Sequence, residues 1–345
     1  MGLKSGKYDV TIIGAGPAGL ACARELANSD LSVLIIDKNS QPGDKLCAGG
    51  VRVSDIKELG LDINRLKGCE ILKAPDNGKI IEYTTVDRRV LSHYQFRFID
   101  KAENIDKLSG CKMSDIAPKM IMLNCGDKIK KVFFEYLVAA DGSASKVRQK
   151  IGIVNQDELI LNSILFVLPL KNNATEFSTL EFFYNRKLFG DWYAYIFPHL
   201  KLNQIKIGCG GSVKWIQQNK INLRENLKIW LHSRNLPINP DNIQGALINS
   251  DFQGYDFTKS RFGKIFLCGD AAGLANYYSG EGIHQALISG SEIGKMIVDK
   301  NYIPERLNEL VSCKQQEIDG LFSNIDNKIW NRFKQYLHRL VFHRF

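Results

Sequence analysis

Two hydrophobic rhythms alternate along this chain. Tyr8-Asp9-Val10-Thr11-Ile12-Ile13 and Leu31-Ser32-Val33-Leu34-Ile35-Ile36-Asp37 are near-continuous apolar runs, the pattern of strands buried on both faces, and a helical run ending near Ser29 lies between them. Tyr136-Leu137-Val138-Ala139-Ala140 and Lys264-Ile265-Phe266-Leu267-Cys268 repeat that pattern. The first opens onto a basic helix start at 143–148, the second onto a helix from about Gly282 to Val298. Other segments read as antiparallel sheet. Residues 70–73 and 79–86 flank an Asn77-Gly78 turn, and strands are expected at 164–170, 181–184, 193–197 and 205–208. Helices are expected at 53–59 and 223–231, with Pro237 and Pro240 closing that section. The least regular stretch is 91–124, where Phe96-Arg97-Phe98 and Met120-Ile121-Met122-Leu123 suggest strands.

The turn between the first two buried runs is Gly14-Ala15-Gly16-Pro17-Ala18-Gly19. In this spacing Gly14 makes a tight turn, Gly16 lets the backbone approach a pyrophosphate, and Gly19 lets the helix pack closely on the sheet. The helix that follows turns the unpaired N–H groups of its N-terminus toward a phosphate. Asp37 closes the second run where a ribose diol would sit, with Lys38 beside it. These elements together predict a βαβ dinucleotide site, without separating FAD from NAD.

Composition narrows the class. The 345 residues, 44% hydrophobic and 24% charged, describe a folded soluble protein large enough for two domains or one domain with a large insertion. No apolar run reaches the roughly 18 residues of a spanning helix, and residues 1–7 leave no room for a signal peptide. The eight cysteines and six histidines show no metal-ligand spacing, so the cysteines are expected to be reduced thiols in a cytoplasmic protein, with no metal. Much of the net charge of +9 sits in 321–345, which holds Lys328, Arg332, Lys334, Arg339 and Arg344 against Asp326. Trp330, Phe333, Leu337, Leu340 and Val341 recur there at helical spacing. That basic amphipathic helix fits peripheral contact with the inner face of an anionic membrane, or packing on the body of the protein. The charge carries no nucleic-acid recognition motif.

Three signatures stand in order: Gly14 to Gly19, Asp141-Gly142, and Gly269-Asp270. Together they resemble the p-hydroxybenzoate hydroxylase-like FAD flavoproteins. Finer features resemble the geranylgeranyl reductase family within that class. These are the loop Lys45-Leu46-Cys47-Ala48-Gly49-Gly50, the strand Gly190-Asp191-Trp192-Tyr193-Ala194-Tyr195-Ile196-Phe197-Pro198 with its partner Ile207-Gly208-Cys209-Gly210, and Gly269-Asp270-Ala271-Ala272-Gly273 running to Gly280-Glu281-Gly282-Ile283. The chain departs from the family in having Tyr195 for the usual Trp, His199 for a frequent Lys, and Tyr277 for Pro. The pair starting the second FAD helix reads as Asp100-Lys101.

The resemblance implies an α/β fold: a Rossmann-like FAD-binding domain at 1–70, 99–155 and 256–320, an inserted antiparallel substrate domain at 71–98 and 156–255, and a helical tail at 321–345. It implies FAD held by Gly14, Gly16, Pro17, Ala18, Gly19, Asp37, Lys38, Lys45, Cys47, Ala48, Gly49, Lys101, Asp141, Gly142, Gly269, Asp270, Gly280, Gly282 and Ile283. A simple helix N-cap is the plain alternative for Asp270. The implied reaction is reduction of C=C bonds in an isoprenoid lipid or prenyl chain, with NAD(P)H or ferredoxin as electron donor. Cys47, Tyr193, Tyr195 and His199 are the candidate catalytic residues, since the far carbon of the alkene needs a proton. Cys47 also reads as a small buried filler, His199 as a surface histidine, and the aromatic cluster as core. A flavin monooxygenase acting on an apolar or aromatic substrate, and a flavin redox sensor at the membrane without turnover, are the alternatives.

Overall fold

The computed structural model describes residues 6–76, 79–170, 177–190, 192–236 and 242–322. The tail helix expected at 321–345 lies outside the described residues from 323 onward, as do the Asn77-Gly78 turn, Asp191, and the Pro237–Pro240 segment.

The chain divides into two units and visits each repeatedly. It begins with β1 (Lys7–Ile13), α1 (Pro17–Leu26) and β2 (Val33–Asp37), then enters the second unit with β3 (Gly50–Arg52), α2 (Val53–Glu58), α3 (Ile63–Leu66), β4 (Leu72–Asp76) and β5 (Lys79–Thr85). It returns to the first with α4 (Arg88–Ile99), β6 (Ile105–Ser109), β7 (Lys112–Ala117), β8 (Met120–Cys125), β9 (Lys128–Ala139) and α5 (Lys146–Lys150). A second excursion holds β10 (Ile160–Pro169), β11 (Glu181–Tyr184), α6 (Arg186–Phe189), β12 (Tyr193–His199), β13 (Gln204–Ser212), α7 (Val213–Gln218), α8 (Leu223–Ser233) and β14 (Gln244–Asn249). The last stretch is β15 (Asp256–Ser260), β16 (Gly263–Leu267), α9 (Ile283–Val298) and α10 (Glu305–Phe322). The first unit spans 1–45, 88–160 and 247–314, and the second spans 46–87, 161–246 and 315–345. These limits differ from the expected boundaries at 70, 99, 155 and 256. Residues 50–52 pair with β5, which ties the stretch after 45 to the second unit.

In the first unit the order β15-β16-β9-β1-β2-β6 puts four parallel pairings side by side. The apolar runs that predicted strands are its centre: Val10, Ile12, Leu34, Ile36, Val138 and Leu267 are fully buried. α1 and α9 pack on one another. This is the doubly wound, Rossmann-like arrangement, with nucleotide chemistry expected at the carboxyl ends of the strands.

Three expectations are corrected here. Phe96-Arg97-Phe98 is not a strand but part of α4, which buries Leu91, Ser92, Gln95 and Ile99 at helical spacing. Three alternating residues imitated a strand inside that longer period. Asp100-Lys101 follows the last residue of this helix and cannot start it, and Lys101 is exposed. Cys111 and Cys125 are not free thiols but form a disulfide. They flank the antiparallel β7–β8 pair, in which Lys112 faces Asn124, so the register sets the two cysteines opposite each other.

The second unit holds the sheet β11-β12-β13-β10-β14 and the small sheet β3-β5-β4. Ala194, Ile196, Ile205, Ile207 and Cys209 point to one face of the larger sheet and pack with Leu223, Leu227, Trp230 and Leu231 of α8. The strand period of two sends Tyr193, Tyr195, Phe197 and His199 to the other face.

Candidate active site

In the first unit the βαβ turn is built as its spacing requires. Gly14 has φ +106°, and a Cβ there would strike the Ala140 carbonyl. Asp37 accepts from Ala15 N at 2.7 Å and from Asn39 N at 2.8 Å, which ties the turn to the end of β2. A carboxylate has about four lone-pair sites, so Asp37 keeps acceptors for a diol. α1 begins at Pro17, and no side chain caps its N-terminus. Its first amides are therefore donors for an anion.

A cluster of charge stands on the same unit. Lys45 Nζ lies 2.7 Å from Asp270 Oδ2 and 3.3 Å from Ser143 Oγ, and Ser143 donates to the same Asp270 oxygen at 2.8 Å. Burial works to raise the pKa of Asp270, but the Lys45 charge and hydrogen bond, the Ser143 bond and the Arg88 charge outweigh it and hold it below the ordinary value. The N-cap alternative for Asp270 falls, because its carboxylate is bound by these side chains and α9 begins at Ile283, after Gly282, without a side-chain cap. Asp141 instead orders the start of α5, accepting from Ser145 Oγ at 2.6 Å and Lys146 N at 2.6 Å. Its own pKa is raised by burial, against those bonds.

Arg88 is the residue that sequence reasoning missed. It opens α4, its Nη2 would stand 3.6 Å from a Cβ on Gly16, and its buried Nε has no hydrogen-bond partner among the described residues. The missed signal was Asp87-Arg88 directly before the buried helical stripe beginning at Leu91. A pyrophosphate fits this end of the unit, where an orphaned guanidinium nitrogen, an uncapped helix and a glycine-wide approach would serve one anion.

The second unit carries the other candidates. Tyr195 lies opposite Gly208 in the β12–β13 register, and Phe197 lies opposite Lys206. Tyr195 OH is 3.3 Å from Ser163 Oγ. Ring centroids of Tyr195 and Phe197 are 4.8 Å apart, those of Phe182 and Phe197 5.3 Å, and those of Tyr193 and Tyr195 6.2 Å. A Cβ on Gly208 would fall 2.5 Å from Tyr195 OH, so the ring rests on bare backbone. Burial raises the pKa of Tyr195, with Cys209 and Cys47 as neighbouring groups. Cys47 itself is half-buried, unlike Cys22, Cys69, Cys209 and Cys268, which are buried. The filler alternative for Cys47 therefore loses its premise.

His199 is 1% exposed, which overturns the surface alternative. Its Nε2 is 2.8 Å from the Ala48 carbonyl, which can only accept, so Nε2 carries the hydrogen. Burial, and then the charge of Lys206, lower its pKa to about 4. Lys206 Nζ donates to Cys47 O at 3.1 Å and to Asp87 Oδ2 at 2.9 Å. The structure thus gathers Cys47, Ala48, Gly49, Tyr193, Tyr195 and His199 in one unit, with Asp87, Ser163 and Lys206 as unpredicted members. It gathers Lys45, Asp270, the Gly14–Gly19 turn and Asp37 in the other. Lys101 joins neither group.

The sequence of residues 12–51 matches the NAD(P)-binding Rossmann-like domain family. The chain is 29% identical over 330 residues to digeranylgeranylglycerophospholipid reductase 1 of Methanosphaera stadtmanae, covering 88% of this chain and 79% of that protein. Its fold is similar to that of a geranylgeranyl bacteriochlorophyll reductase-like protein from Thermoplasma acidophilum, with TM-score 0.71, 17% identity, and coverage of 96% and 88% of the two chains. It is also similar in fold to pqsL, a probable FAD-dependent monooxygenase from Pseudomonas aeruginosa, with TM-score 0.62, 15% identity, and coverage of 90% and 91%.

Proposed function

We propose that this chain, an FAD-dependent oxidoreductase of the geranylgeranyl reductase type, reduces C=C bonds in the isoprenoid chains of a lipid or prenylated molecule. The observation that carries the reading is the row Tyr193, Tyr195 and Phe197 on one sheet face, in the unit that also holds the half-buried Cys47 thiol. An apolar wall beside a weak acid is what alkene reduction needs and what a polar substrate would not.

Reduced FAD, when bound, supplies a hydride. The chain's own residues do the rest. Asp37, Lys45, Arg88, Asp270 and the Gly14–Gly19 turn would hold the dinucleotide by the charges and donors described above. The aromatic row binds the prenyl chain and excludes water. Cys47 or Tyr195 gives the proton to the carbon that does not receive the hydride. His199 is a poor donor: its one N–H is engaged by Ala48 O, and at neutral pH its other nitrogen carries only a lone pair. The amides of Ala48 and Gly49 have no partner among the described residues and suit an acceptor atom of a ligand.

NAD(P)H or ferredoxin serves as electron donor in this reading, and the basic stretch 321–345 meets an anionic membrane where such lipids reside. Among the described residues no helix is long and apolar enough to cross a membrane. Turnover with a geranylgeranyl lipid under nitrogen tests the reaction. The product gains a pair of hydrogens for each double bond lost. Product containing an added oxygen, formed only in air, would instead support the monooxygenase reading.

A further inference from the structure

The carbonyls of Cys47 and Ala48 are adjacent along the chain, and each is held by a buried side chain of the β12–β13 pair. Lys206, 7% exposed, holds the first, and His199 holds the second. Lys206 is anchored in turn by Asp87. Gly49 continues the series, its carbonyl accepting from Val86 N at 2.7 Å. Three successive carbonyls of the Cys47 loop are therefore fixed.

A buried ion pair is a poor device for stability alone, because apolar side chains of similar volume fill the same space with equal or better effect. An apolar pair cannot hold a carbonyl. Lys206 also interrupts the apolar run Ile205-Lys206-Ile207 at the position facing Phe197, so its side chain leaves the sheet on the face of the aromatic row. The peptide bonds are trans, so fixing the Cys47 carbonyl also fixes the opposed Ala48 amide.

We propose that Lys206, anchored by Asp87, is a positioning residue that sets the Cys47–Ala48 peptide, and with it the Cys47 thiol, before substrate binds. This rests on the reading of Cys47 as a residue of the reductase site. Lys206 acts through the loop and touches no reacting atom. Asp87 supplies the charge that keeps the ammonium in place.

The test is made on the purified, FAD-loaded protein with one double variant and one conservative single variant. D87L/K206M removes the ion pair and fills its space. K206R keeps a cation with several donors for Asp87 and the Cys47 carbonyl. Amide exchange at Val86, whose acceptor is Gly49 O, reports the loop without any turnover. In D87L/K206M that exchange is at least about tenfold faster than in the wild type. Its kcat falls at least about tenfold, while KM stays within about twofold. K206R stays within about threefold of wild type in both measurements. D87N/K206M carries the same expectation as D87L/K206M should the latter not fold. Wild-type Val86 exchange and wild-type kcat in D87L/K206M would overturn the proposal. If the wild-type protein reduces no prenyl substrate, the proposed function fails, while the exchange comparison still decides the role of Lys206.

Discussion

Lys45 Nζ lies 2.7 Å from Asp270 Oδ2, an ion pair closed across 225 positions of the chain. It joins the loop leaving β2 to Gly269-Asp270, one of the three signatures that suggested a flavin site. Lys45→Met leaves a buried carboxylate whose pKa then rises, because burial is no longer opposed by the Lys45 charge and bond. The dissociation constant for FAD is expected to rise about tenfold, or about 1.4 kcal/mol. Fluorescence titration of the apoprotein measures it, and a change within about twofold would remove Lys45 from the site.

Arg88→Ala and Lys101→Ala form a paired prediction. The Arg88 guanidinium stands beside Gly16 with its Nε unpartnered, while Lys101 is exposed beyond the end of α4. Losing a charge-assisted phosphate contact costs about 1.5–3 kcal/mol, so Arg88→Ala should weaken FAD about tenfold or more. Lys101→Ala should leave FAD affinity unchanged. Isothermal titration of both variants checks the contrast, and the reverse order would restore Lys101 to the site.

The difference between those two residues shows what the sequence could carry. The β1–α1–β2 unit was legible because Tyr8 to Asp37 states its strands, turn and acid locally, and no distant residue is needed to read them. α4 was misread because Phe96-Arg97-Phe98 alternates, although Leu91, Gln95 and Ile99 already carried the helical stripe. Once that helix is recognised, Asp87-Arg88 stands at its start and Asp100-Lys101 past its end. Cys111 and Cys125 meet only through the β7–β8 register, which spacing does not encode. Lys206 bonds Cys47 from 159 positions away. Its role depends on a tertiary contact, and the one visible trace was a single charge inside an apolar run.

His199 should make stability depend on pH. Its folded pKa of about 4 lies below the ordinary 6.5, so the unfolded chain binds more protons between those values. The contribution is fully present above about pH 6.5 and is lost as pH falls toward 4, to a limit of about 3 kcal/mol. His199→Gln keeps a donor for Ala48 O and does not titrate. Urea unfolding of both proteins from pH 7 to 4 should show the wild type losing the advantage it holds over the variant. Parallel curves would contradict the assignment of a buried neutral His199.

Gly208→Ala tests the support of Tyr195. The added Cβ would meet Tyr195 OH and the Ile164 carbonyl, so the ring must leave its place on β13. Overpacking of this kind costs about 1–3 kcal/mol. The expected outcome is a lower Tm together with a changed near-ultraviolet dichroism. An unchanged aromatic signal would mean that the sheet absorbs the methyl without moving Tyr195.

The most direct measurement is anaerobic. The FAD-loaded protein is reduced under nitrogen, mixed with a geranylgeranyl lipid, and followed by the flavin absorbance. The account predicts reoxidation in step with formation of a product that has gained a pair of hydrogens, and a rate at least about tenfold lower in Cys47→Ala if the thiol is the proton donor. Flavin that stays reduced with every prenyl substrate until oxygen enters would contradict it.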